Sequence, residues 1–361
     1  MAGRDPVADL RRIAYLLESA GGATYRVRAF RGAAAAIADR DPVEVARLAA
    51  DGKLRTISGV GDATARCIEE SLRGQVPTYL RSLPPPPEVA SDSPATALRA
   101  MLLGDCHSHS DWSDGGSSIE EMALAAVGLG HEYLVMTDHS PRLRVARGLS
   151  AERLRQQLDH VAGINAALPS GFRILTGIEV DILADGSLDQ DPALLGELDV
   201  VVGSLHSGLK DPADAMTHRM LTAIANPHLD ILGHCTGRKV AGDRGSARGA
   251  GVEGGDRAHR SGLTRAESAF DAPAVFAACA EHDKAVEINC RPDRLDPPIR
   301  LLRLAAQSGC RFAVDTDAHA PGQLEWLING CERAARCDVP ADRIVNTWPA
   351  DALVAWAASH A

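Results

Sequence analysis

"YLVMTDH", residues 133–139, is a short β-rich run whose apolar part stops at a histidine. Six further runs follow the same grammar: "AMLLGDCH" (100–107), "RILTGIEV" (173–180), "DVVVGSLH" (199–206), "DILGHC" (230–235), "AVEINC" (285–290) and "FAVDTDAH" (312–319). Helical segments separate them, among them 117–129, opened by a Ser117/Glu120 capping-box pattern, and 150–167. Strand and helix alternating seven times imply an α/β fold with a parallel sheet, closed as a barrel.

The residues that end these runs are His107 with His109, His139, Glu179, His206, His234, and Asp317 with His319. In a parallel barrel every strand's carboxyl end opens on one face, so residues far apart in the chain meet in a single pocket. His107 and His109 stand two apart and face the same way from a strand, and Asp317 and His319 repeat the device. Asp114, near the end of "GDCHSHSDWSDG" (104–115), completes a set of six imidazoles and three carboxylates. Crowded and partly desolvated, such a set requires cations to hold it. Mixed nitrogen and oxygen ligands suit zinc, manganese or iron rather than magnesium or calcium. At about three or four protein ligands per ion the set implies two or three divalent ions. Such a cluster makes hydroxide from a bridging water and clamps the oxygens of a phosphate ester, so phosphoester hydrolysis is the reaction class expected. The other seven histidines (His131, His160, His218, His228, His259, His282 and His360) read as polar residues of helices and loops.

The chain of 361 residues has room for a large α/β domain and a small one. "LPPPPEVASDSP" (83–94) cannot continue a helix and favours extended geometry, so the domains are expected at 1–83 and 98–361, joined by a Pro-rich linker over 84–97. Before the linker, Val7, Leu10, Ile13 and Leu17, then Val27, Phe30, Ala34 and Ile37, then Ile68 and Leu72 recur at helical spacing. That pattern predicts a small all-α domain. Residues 239–262 hold seven glycines and no apolar period, and read as a disordered insertion whose Arg244, Arg248, Arg257 and Arg260 could meet an anion. Net charge is −10, yet 1–83 carry 13 Lys/Arg against 10 Asp/Glu and the remainder 25 against 38. A basic end and an acidic end suggest two tasks. Eight scattered cysteines without a CxxC pair read as reduced core thiols, and the absence of a signal segment or membrane span implies a soluble, cytoplasmic protein.

The motifs "CHSHSDWSDG", "TDHS", "GIEVDI", "GSLHSG", "GHCTGR", "EINCRPDRLD" and "VDTDAH" resemble those of the polymerase and histidinol phosphatase (PHP) family, closest to the C-terminal PHP domain of bacterial family X DNA polymerases. The resemblance implies a distorted seven-stranded (βα) barrel and a trinuclear site. One ion would sit on His107, His109, Glu179 and Asp317, a second on Glu179, His206 and His234, and a third on Asp114, His139 and His319. Metal-bridged hydroxide would be the nucleophile, Asp138 an orienting residue, and Arg238 and Arg294 phosphate contacts. Cys235 stands where the family usually has proline. With Cys106 it is expected to bring two thiols near the metals.

Gly59-Val60-Gly61, between two helical stretches, can let backbone N–H groups approach a phosphate. With "TYRVRAFRGAAAAI" upstream and Lys53, Arg55, Arg66 and Arg73 around it, it resembles the helix-hairpin-helix domain of family X polymerases. That implies sequence-independent binding to the DNA backbone at gaps or ends. The lyase lysine of that family is replaced by Cys67, and the chain passes to the PHP domain without a polymerase palm, so neither lyase nor polymerase activity is expected. The leading expectation is a metal-dependent phosphoesterase acting at DNA 3′ ends (exonuclease, 3′-phosphatase or AP-endonuclease type) in DNA repair. The alternatives are a small-molecule phosphatase, for instance of histidinol phosphate, and a non-catalytic DNA-binding protein.

Overall fold

Each of the seven apolar runs forms a strand in the computed structural model, which describes residues 4–84, 92–240 and 263–360. The chain divides into two compact units, Met1–Glu88 with Ala320–Gln323, and Val89–His319 with Leu324–Ala361.

The first unit is helical: α1 (Pro6–Ser19), α2 (Thr24–Ala38), α3 (Pro42–Ala50), α4 (Asp62–Leu72) and α5 (Thr78–Ser82). Asp5 caps α1 by accepting from the Val7 amide, with Pro6 in the first turn where its missing N–H is harmless. The apolar stripe then buries Leu10, Ile13, Ala14 and Leu17 against Phe30, Ala34, Ile37 and Ile68. Val7, Val27 and Leu72 lie half-buried at the margin of this core. Asp9, also buried, is held by Arg4 and by the Ser71 hydroxyl at 2.6 Å.

The second unit opens with α6 (Pro94–Met101). The first residues of this helix fall in the linker expected over 84–97, but Ser93 accepts from the Thr96 amide and Pro94 takes the first helical turn. Seven parallel strands follow in the spatial order β1 (Gly104–Ser108), β2 (Tyr133–Met136), β3 (Arg173–Asp181), β4 (Val200–Ser204), β5 (Ile231–Leu232), β8 (Ala285–Asn289) and β9 (Arg311–Asp315). A parallel bridge between Ser108 and Ala318 brings the last strand's end to the first, so the barrel is nearly closed. The crossover helices are α7 (Ile119–Gly128), α8 (Ala151–Asn165), α9 (Pro192–Leu195), α10 (Ala213–Ile224), α11 (Ala272–Glu281) and α12 (Ile299–Gln307). They are followed by α13 (Leu327–Arg336) and α14 (Ala350–Ala358). The cap of α7 is Ser118, accepting from the Glu121 amide, one residue beyond the Ser117/Glu120 pair.

Lys239 and Val240, assigned above to the insertion, form β6, which pairs with β7 (Leu263–Arg265). Ladder bonds thus give this pair a regular place, while 241–262, with their four arginines and His259, lie outside the described residues. Among the described residues no helix is long and apolar enough to cross a membrane.

Candidate metal centre

Glu179, on β3, occupies the middle of the carboxyl-end face and is 1% exposed. Its Oε1 lies 2.9 Å from His234 Nε2 and 3.3 Å from His206 Nε2. Its Oε2 lies 2.7 Å from His139 Nδ1, 3.5 Å from His107 Nε2 and 3.6 Å from His109 Nε2. Asp114 Oδ1 stands 3.4 Å from His139 Nε2 and 3.3 Å from His319 Nε2. Asp317 Oδ1 is 3.5 Å from both His109 Nε2 and His319 Nδ1. The backbone of Asp317 has φ +53°, a left-handed conformation unusual for a residue other than glycine and one that clusters at functional sites.

Three overlapping groups have ligand atoms within 4.8 Å of one another and are able to hold metal ions: His109, Asp114, His139 and His319; His107, His109 and Asp317; and His139, Glu179 and His206. The grouping differs in detail from the one the resemblance implies. His109 joins the Asp114 group, and His139 takes the place of His234 beside Glu179 and His206.

Burial opposes charge on all these side chains, yet the carboxylates remain ionised. The imidazoles of His206, His139 and His107 hold Glu179 well below the usual carboxylate range. Arg291 and Arg294 do the same for Asp317, and His139 and His319 for Asp114. Against its own desolvation, His139 is lifted to about 10 by Glu179 and Asp114. Burial pushes His109 down, and the facing His319 and His139 push it further. Protons thus do the balancing that cations would do. Among the described residues His109 Nδ1, His206 Nε2 and Glu179 Oε2 are buried without a well-formed hydrogen bond. Unused nitrogen and carboxylate lone pairs converging in a dry pocket fit divalent ions.

Two carboxylates escaped the sequence reading. Glu287, on β8, lies 2.6 Å from His107 Nδ1 and also accepts from the His234 amide. Asp181, at the end of β3, accepts from His206 Nδ1. Each fixes a ring so that Nε2 faces Glu179, the usual arrangement behind a ligating histidine. The available signal was a lone acid in the otherwise apolar "AVEIN", and a second acid two residues after Glu179.

Asp138, expected to orient a ligand, accepts from the Ser110 amide at 2.8 Å, from the Ser110 and Ser113 hydroxyls and from Gln157 Nε2 at 2.6 Å. It shapes the turn between His109 and Asp114 and bonds no imidazole. Arg294 Nε is 2.9 Å from Asp317 Oδ2, and its buried Nη1 has no partner among the described residues. Arg238 is turned away from the ligands, its guanidinium donating to the carbonyls of Arg294 (3.0 Å) and Leu295. Arg291, unremarked in the sequence, places Nη1 3.2 Å from both Asp317 Oδ1 and His319 Nδ1. The two thiols do not serve the site. Cys106 packs with Tyr133, Val135 and Leu175, and Cys235 sits in the outer core. Burial raises both thiols well above their usual range, so they stay neutral.

In the helical unit Gly59 has φ +88° and Gly61 caps α4. Val60 does not fit the contact expected of it. Its side chain is buried and its N–H donates to the Ile57 carbonyl, while the Gly61 N–H donates to Thr64 Oγ1. Lys53, Arg55 and Arg66 are exposed around the hairpin, Arg55 paired with Asp62 at 2.8 Å and Lys53 with Asp51 at 3.6 Å. Cys67 is buried, its thiol pushed up to about 11 by burial.

Residues 105–289 match the PHP domain family, and 1–76 match a helix-hairpin-helix domain family. A "DNA polymerase/3'-5' exonuclease PolX" of Bacillus subtilis (strain 168) is 35% identical over 271 residues, covering 75% of this chain; the chain spans only 44% of that relative. A protein of Thermoanaerobacter sp. (strain X514) named "Probable phosphatase" is 26% identical over 261 residues, covering 68% of this chain and 91% of its own. The solved histidinol phosphate phosphatase of Lactococcus lactis superposes with a TM-score of 0.43 at 19% identity, over 65% of this chain and 92% of its own.

Proposed function

The chain belongs to the PHP family, and we propose that it is a hydrolase of phosphoester bonds that acts on the 3′ ends of DNA, removing nucleotides or terminal phosphate during repair. The observation that carries the hydrolytic part is the buried carboxylate of Glu179 with five imidazoles within 3.6 Å. The nine side chains named above would hold two or three divalent ions, with zinc, manganese and iron matching the donor set. Ions so held lower the pKa of bound water and neutralise the oxygens of a phosphate ester.

The protein's own groups do the positioning. Glu287 and Asp181 lock the rings of His107 and His206. Asp138 fixes the turn that carries Asp114. Arg291 and Arg294, both against Asp317, are the cations nearest the ligands and take the non-bridging oxygens of the phosphate. Arg238 supports them by tying down the backbone at 294–295.

The DNA part of the proposal rests on the hairpin at Gly59–Gly61, with Lys53, Arg55 and Arg66 exposed around it, in a module that would supply backbone affinity. The relative of Bacillus subtilis whose name includes an exonuclease supports this reading. A small-molecule phosphatase is the second reading, favoured by the phosphatase relative and by the acidity of 84–361. A manganese-supplemented reaction on a gapped duplex labelled at its 5′ end separates them. Shortening or 3′-dephosphorylation by the wild type, lost in Asp317→Ala, supports the DNA reading. Intact DNA alongside hydrolysis of a simple phosphomonoester rejects it in favour of the second.

A further inference from the structure

We propose that the loop at 140–148 is the strand-holding element of the barrel, in which Arg142 and Arg144 bind the phosphates flanking the scissile one and Val145 packs on an unstacked base. The inference rests on the DNA reading above and names the part of the hydrolytic unit that would distinguish a polynucleotide from a small phosphate ester.

Residues 84–361 are strongly acidic, yet "PRLRVARG" (141–148) carries three arginines and no acid. Both ends of the loop attach to the ligand cluster. The Ser140 amide donates to the Glu179 carbonyl at 3.0 Å, and the Leu149 amide returns to the carbonyl of His139 at 2.7 Å. The loop therefore leaves His139 and comes back to it, so both of its ends are anchored at the metal-binding side chains.

Its shape is fixed from within. Asp189 Oδ2 accepts from the Ser140 hydroxyl at 2.9 Å and from the Arg142 amide at 2.6 Å, so this carboxylate holds the loop's backbone rather than a guanidinium. Ala146 is buried, and Arg147, at φ +57°, donates to the carbonyls of Asp111 and Ser113 beside the ligand Asp114. The side chains left over are those the proposal uses. Arg142 and Arg144 are exposed, their guanidinium groups make no hydrogen bond or ion pair among the described residues, and with Pro141 and Asp189 they line a depression of about 510 Å³. Val145 is 90% exposed. A fixed loop that presents two unpaired cations followed directly by an apolar side chain matches a single strand, with its alternating phosphates and base faces.

The test uses the full chain loaded with manganese and two substrates, a 5′-labelled single-stranded oligonucleotide and p-nitrophenyl phosphate. The double variant Arg142→Ala/Arg144→Ala is expected to lose roughly 10- to 100-fold in kcat/KM on the oligonucleotide. Its log-log salt dependence should be shallower by about 1.4, the slope of two contacts to a single strand. Val145→Ser is expected to raise KM for the oligonucleotide several-fold. Hydrolysis of p-nitrophenyl phosphate should stay within about twofold for both. An equal fall on the two substrates would show that the loop merely supports His139, and unchanged oligonucleotide kinetics would likewise overturn the proposal while leaving the DNA reading in place. A wild type that hydrolyses p-nitrophenyl phosphate but neither the oligonucleotide nor the gapped duplex would remove both.

Discussion

Glu287 shows what one residue contributes from behind the ligands. Its carboxylate is buried, faces His107 Nδ1 across 180 positions of sequence, and holds the His234 amide with its other oxygen. Glu287→Gln keeps the volume but removes the charge that makes the imidazole a strong donor, so metal affinity should fall about 10- to 100-fold. A chelator competition titration monitored at equilibrium checks this, and an unchanged affinity would reduce Glu287 to a packing residue. Eight of the nine candidate ligands were legible because they stand at the ends of apolar runs, a local signal, and Asp114 because it follows the first of these runs closely. Glu287, Asp181 and Arg291 were not, because their partners come from other strands and only closure of the barrel supplies them. Val60, Cys106 and Cys235 misled for the opposite reason. Neighbours in sequence to functional residues, they turn into the core.

At the level of elements, the strands were legible from composition, and the helix starts that failed did so at capping residues. Ser117 and Ser118 both satisfy the pattern, and only the hydrogen bond to the Glu121 amide selects the second. The same local logic that ended the linker early at Ser93 was hidden by the prolines around it. One element has a steric requirement that composition conceals. A Cβ on Gly148 would stand 1.8 Å from the Ser140 carbonyl oxygen, so the segment leaving His139 closes only because that side chain is absent. Gly148→Ala should destabilise the protein by about 1–3 kcal/mol, the usual range for overpacking, and displace His139 with it. Denaturant unfolding of the metal-free protein measures the first effect, and weakened manganese binding the second.

For the whole molecule, stability and metal loading are linked through protons. With His139 at about 10 when folded and near 6.5 when unfolded, the metal-free protein holds its full share of this stabilisation below pH 6.5 and loses it as pH rises through 10. The melting temperature of chelator-treated protein should therefore fall between pH 7 and 10, by at least roughly 3 °C, which is what about 1 kcal/mol moves a domain of this size. Metal-loaded protein should lack this decline, because cations replace the protons, and equal slopes for the two forms would refute the linkage. The nearly closed barrel has one more consequence. The Cys106 amide donates to Asp315, 209 positions downstream, and Ser108 bridges Ala318. On the ribosome, then, His107 and His109 emerge first and wait through the synthesis of nearly the whole domain before Asp317 and His319 exist to join them. A nascent chain can therefore assemble the complete centre only after residue 319 has been made, and this long-range closure belongs to the slow, non-local part of folding.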